Sequence, residues 1–90
     1  MEELLKYHDD ITEEIDGAKH YAKMAMCVKH EHPDYAKTLQ DMAMQELDHA
    51  NNLHRISMGM LTEETRSLYD HMHKKDLEHI AEVKAMITMI

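Results

Sequence analysis

Apolar residues along this chain recur at spacings of three and four, and only two places break the recurrence. That period puts side chains on one face of a helix, whereas a strand would alternate every second residue. The first break is His30-Glu31-His32-Pro33-Asp34. Pro33 disfavours helix at the residue before it and suits the opening turn of a new helix. The second is Met58-Gly59-Met60-Leu61-Thr62-Glu63-Glu64. Here glycine suits a helix end, threonine an N-cap, and the paired glutamates a first turn. Three stretches rich in helix formers remain, roughly 2–30, 34–59 and 62–90. The expectation is one all-α domain over 1–90, with three long antiparallel helices running up-down-up.

Each stretch carries an unbroken seam suited to a bundle core. The first reads Tyr7, Ile11, Glu14, Ala18, Tyr21, Ala25, Val28. The second reads Leu39, Met42, Glu46, His49, Leu53, Ile56, Met60, and the third Tyr69, Met72, Asp76, His79, Val83, Met86, Ile90. One carboxylate interrupts every seam, and in the second and third a histidine follows three residues later. A shift of thirty residues lays the second seam on the third, Glu46 on Asp76 and His49 on His79. A duplication would produce that match, and so would two helices meeting one geometric need.

Composition narrows the functions. Ninety residues leave a small core, Phe and Trp are absent, and ten Met carry much of the apolar load. Methionine fills space adaptably but specifies packing weakly, so a homodimer or higher homo-oligomer is expected. The net charge of −8, with no basic stripe, argues against nucleic acid. No apolar run approaches the ~20 residues of a membrane span, and no charged-then-apolar leader opens the chain. Cys27 is the one cysteine, so neither an internal disulfide nor a Cys-rich metal site is expected, and the default compartment is a reducing cytoplasm.

A carboxylate in an apolar seam is costly unless something pairs it. Glu14 lies about 18 residues before the first turn, and Glu46 and His49 about 14 and 17 after it. Glu46 and Asp76 each lie about 15 residues from the second turn. At ~1.5 Å per residue, these groups are expected in one slab of several ångströms, with Glu46 and His49 on one helical face. Carboxylate oxygen with imidazole nitrogen suits iron, manganese or zinc rather than a calcium cage. Two carboxylate-bearing helices and two Glu-x-x-His helices form the di-iron pattern of four-helix bundles.

On these residues the chain resembles the ferritin-like superfamily, rubrerythrins especially. The resemblance rests on Glu14 with Tyr21 seven residues on, and on Glu46-Leu47-Asp48-His49-Ala50, and covers residues 8–56. It implies two iron ions, or manganese, reacting with dioxygen or peroxide. Glu14 would be a terminal ligand, Glu46 a bridge, His49 a capping ligand and Tyr21 a nearby, catalytically placed phenol. Such bundles have four helices and this chain has three, with Asp76-x-x-His79 on the third, one methylene shorter than glutamate. Two completions are open. A two-fold dimer would unite Glu14, Glu46 and His49 from each chain, or Asp76 and His79 would complete an in-chain site.

Blander readings stand beside these. Acid-x-x-His occurs three times, at Glu46/His49, Asp76/His79 and Asp70/His73, where chance alone gives roughly two. Seam position raises the first two, whereas Asp70 and His73 read as surface. Tyr21 also reads as a core tyrosine bonded to a carboxylate, and methionines at helical spacing read as core rather than as copper ligands. His8, His20 and His54 receive no role. Gly17, inside a helix, gives room for a metal or a partner helix, or is a tolerated accident. The rival to a metal enzyme is a non-catalytic interaction or assembly module whose Glu/His network sets register and pairing. A zinc hydrolase fits less well, because the carboxylates are spread over several helices.

Overall fold

The structure, a computed structural model, describes residues 2–90. Three helices account for nearly all of them: α1 (Glu2–Val28), α2 (Pro33–Gly59) and α3 (Glu63–Thr88). Pro33 opens α2, and Thr62 caps α3 through a reciprocal box with Thr65. The box satisfies backbone N–H groups that the helix leaves without partners, whereas Pro33 has no N–H to satisfy. The helices pack antiparallel in sequence order, about 52 Å long and 16 × 15 Å across. No described helix is long and apolar enough to cross a membrane.

The core follows two rows per helix, each repeating every seventh residue, as in a coiled coil. On α1 the rows are Leu4, Ile11, Ala18, Ala25 and His8, Ile15, Ala22. On α2 they are Ala36, Ala43, Ala50, Ser57 and Gln40, Leu47, His54, and on α3 Tyr69, Asp76, Val83, Ile90 and His73, Ile80, Ile87. Every one of these residues is buried or half-buried. Alanine at the α1–α2 contact lets two backbones approach closely, and the larger Ile15, Leu47 and Ile80 fill the centre.

This arrangement corrects the seam expected on α2. Leu39, Met42, Glu46, Leu53 and Met60 are half-buried, and His49 and Ile56 are exposed. They form a flank beside the core, while the small residues one position along face inward. The physical reason is that close helix packing selects short side chains, which a search for large apolar residues passes over. His73, expected on the surface, is half-buried in the core row of α3. The core tyrosine is Tyr69, whose hydroxyl donates to Ser57 Oγ at 3.2 Å, and burial pushes its phenol up from the ordinary value.

Register between α2 and α3 explains a second difference. Gln40 donates to the Ile87 carbonyl, His54 bonds His73, and Tyr69 bonds Ser57. That pairing sets Glu46 opposite a residue near 81, about five positions from Asp76, or ~7 Å along the axis. The turn at 60–62 is therefore not the midpoint of the hairpin, because the first turn of α3 projects beyond the end of α2.

Candidate metal centre

Glu14 on α1 and Glu46 with His49 on α2 meet where the two helices pack. One carboxylate oxygen from each glutamate and one ring nitrogen of His49 all lie within 4.8 Å of one another. Three residues of separation hold Glu46 and His49 on the same face, and the antiparallel register brings Glu14 opposite them. His49 Nδ1 stands 3.5 Å from Glu14 Oε2. The His49 side chain remains 59% exposed, so the group opens to the surface beside the core.

Two features mark the group as unfinished. Glu14 Oε2 is buried and has no hydrogen-bond partner. Burying a polar atom without a partner costs about 1–3 kcal/mol, more for a charged group. Glu46 is held above the usual carboxylate range, first because its protonated form can share a hydrogen bond with the Glu14 carboxylate, then by burial and by the Glu14 charge, with His49 opposing. Two carboxylates crowded in this way favour a shared proton or a shared cation. The donor set of two oxygens and one imidazole suits iron, manganese or zinc, so the residues present fit half of a two-metal site.

Gly17 provides the space for Glu46. A Cβ at this position would lie 3.0 Å from Glu46 Oε2, 3.6 Å from Cδ and 3.7 Å from Cγ. A glycine inside a helix costs about 1 kcal/mol relative to alanine, and here it leaves the carboxylate unobstructed. Gly17→Ala is expected to raise the melting temperature of the metal-free protein by about 4–8 °C, the shift for ~1 kcal/mol in a domain this small. The same change should weaken metal binding about 10–100-fold, the usual cost of disturbing a ligand's supports. Paired melting and metal-titration curves check both directions.

The remaining predicted residues lie elsewhere. Asp76 is buried and faces α1, where His8 Nδ1 is 3.1 Å from both of its oxygens. His79 is exposed and borders a shallow cleft with Ile15, Asp16, Lys19 and Glu82, on the flank of α1 away from Glu14. The in-chain completion through Asp76 and His79 is thus not assembled: the register of α3 carries Asp76 toward His8 instead. Tyr21 is half-buried against the core with its ring 5.9 Å from that of His20. It lies seven residues, two helical turns, from Glu14 along α1.

The rubrerythrin family model matches residues 5–88, which takes in all three helices. The chain belongs to the rubrerythrin family. Its helical architecture, free of strands among the described residues, agrees with the ferritin-like bundle of that family. Comparison with curated proteins and with solved structures gives no significant match. As a rubrerythrin-family chain it carries Glu14, Glu46 and His49 within the matched span, clustered at the α1–α2 contact.

Proposed function

We propose that this rubrerythrin-family chain binds a pair of iron or manganese ions between two copies, each supplying Glu14, Glu46 and His49. The observation that carries this reading is the orphaned, buried Oε2 of Glu14 inside a group open on its other side. One chain offers two carboxylates and one imidazole, and two chains offer the four carboxylates and two imidazoles of a di-metal bundle. Leu53 and Ile56 lie on the same side of α2 as the group and suit coverage by a second copy. Bound iron supplies one-electron redox chemistry, so the activity proposed is oxidation of ferrous iron with dioxygen or peroxide as acceptor.

The protein's own groups supply position and proton release. Glu46 holds its proton above the usual carboxylate range, and a metal ion must displace it. Metal loading should therefore release protons and weaken progressively as pH falls through that raised range. Tyr21 is proposed as a phenol near the centre, because it lies two helical turns from Glu14 on the same side of α1. Rapid mixing of ferrous protein with dioxygen tests the activity. Ferric absorbance should form faster than in Glu46→Gln, and equal rates would remove the assignment. The compartment expected is the cytoplasm.

A further inference from the structure

The two halves of α3 are held on the bundle in different ways. Toward its C-terminus, Ile80, Val83 and Ile87 belong to the central apolar cluster. No residue of α3 before Ile80 belongs to it. Three polar contacts tie that earlier half to the α1–α2 hairpin: Tyr69 with Ser57, His73 with His54, and Asp76 with His8. His54 and His73 are both half-buried, with ring centroids 4.4 Å apart and planes 10° from parallel. Asp76 is 1% exposed, and His8 Nδ1 stands 3.1 Å from both of its oxygens. One end of the bundle therefore depends on groups that change charge in mild acid.

The two histidines meet nitrogen to nitrogen, His54 Nε2 on His73 Nδ1. A neutral imidazole donates from one nitrogen and accepts at the other, so the bond needs one neutral ring as acceptor. One added proton leaves it intact, because a charged ring still donates to a neutral one. A second makes donors of both facing nitrogens and sets two cations side by side. The surrounding groups do not absorb that charge. His8 faces this layer from α1, and Asp76 and Tyr69 face it from α3. Asp76 is the one carboxylate among them, and a protonated His8 takes up its charge. Tyr69 stays neutral, because burial pushes its phenol up. Arg55, Asp70 and Lys74, close by in sequence, are exposed. Burial, and then the charge of His73, hold His54 below the ordinary histidine value against the pull of Asp76. We propose that the His54–His73 pair is an acid-sensitive latch, which releases the first half of α3 when both rings are protonated. The folded chain binds fewer protons here than the unfolded one. The stability of this end is therefore complete above about pH 6.5, the ordinary histidine value, and is lost as pH falls below it. The half from Ile80 to Ile87 packs through apolar side chains and stays docked. The latch needs neither a bound metal nor a second copy of the chain.

Hydrogen exchange of the full, chelator-treated chain carrying Glu46→Gln tests the latch. That substitution removes the titration of Glu46, whose effect on stability runs in the opposite direction with pH. Amide protection, corrected for the intrinsic effect of pH, should fall at least about tenfold over residues 63–76 between about pH 7.5 and 5. Residues 80–87 should keep theirs. Adding His73→Gln leaves at most one charge in the pair and should remove the fall. Nuclear magnetic resonance of the His54 ring, without that second substitution, gives a readout independent of how the double variant folds. The ring should take up its proton below about pH 6.5, together with the loss of protection. Unchanged protection over 63–76, an equal loss along all of α3, or a loss that persists with His73→Gln would each overturn the proposal. So would a His54 ring that protonates at the ordinary value while α3 stays protected.

Discussion

Glu46→Gln is expected to abolish paired-metal binding while making the metal-free protein more stable at neutral pH. The loss follows because glutamine offers a neutral amide oxygen in place of the carboxylate proposed to bridge two cations. The gain follows because Glu46 and Glu14 crowd each other, and the amide N–H₂ can donate to the orphaned Glu14 oxygen. The sign with pH is fixed by linkage. The folded protein holds a proton on Glu46 at higher pH than the unfolded chain does. Stability from the protonated pair is therefore complete below the ordinary carboxylate range and is lost as pH rises through the raised one. The advantage of the glutamine variant should accordingly be largest near neutrality and fade in acid. Melting curves between pH 4 and 8, roughly the window in which a raised carboxylate titrates, measure it. A variant no more stable than the parent at pH 7 would show that the crowding is not real.

Leu47→Ala, one residue along, should do the opposite. Leu47 is 1% exposed and packs in the central cluster with Ile15 and Ile80. Truncating a buried leucine costs about 2–5 kcal/mol through lost burial and the cavity left behind. A domain of this size has on the order of 5–13 kcal/mol in total, so a large part of its stability disappears. Denaturant unfolding should show a lower midpoint with an unchanged slope. The proposed metal ligands face the flank rather than the core, so saturating ferrous ion should recover some of the lost stability. A midpoint within experimental error of the parent would mean that Leu47 is not in the core.

Neighbours with opposite roles show how much of this molecule is legible in its sequence. Pro33, Gly59 and Thr62 mark the helix ends through backbone chemistry that does not depend on tertiary context, so the three-helix order can be read directly. The Glu14–Glu46–His49 group is also legible, because Glu46 and His49 are fixed by local helical geometry and Glu14 needs only the first hairpin's register. Which face of α2 turns inward is harder. Ala36, Ala43 and Ala50 are weakly apolar, yet their small size decides the close approach to α1. The larger Leu39, Met42 and Leu53 mark a face turned by one residue from the one that packs inward. The same shift hid the heptad row that joins His8, His54 and His73.

Asp76 lies off the level of Glu46 for a separate reason. Equal distances from a turn locate two residues at one level only when the hairpin is symmetric about that turn. Contacts of Gln40 with Ile87 and His54 with His73 show that α3 starts beyond the end of α2. Nothing in the loop residues 60–62 encodes that offset. It arises from side-chain packing along the whole length, where Tyr69 must reach Ser57 and Ile80 must pack in the central cluster. Non-local packing of this kind leaves no short motif.

The metal pair is proposed to be shared between two copies through Glu14, Glu46 and His49. Iron bound per chain, counted after anaerobic loading in the parent and in Glu46→Ala alongside the mass of the assembly, tests it most directly. The difference between the two proteins isolates the iron that depends on Glu46. A shared centre predicts a difference of about one ion per chain, carried only by dimers or larger even assemblies. A difference of about two ions on a monomer would place the whole centre inside one chain. No difference at all would leave the Glu14–Glu46–His49 group without a metal.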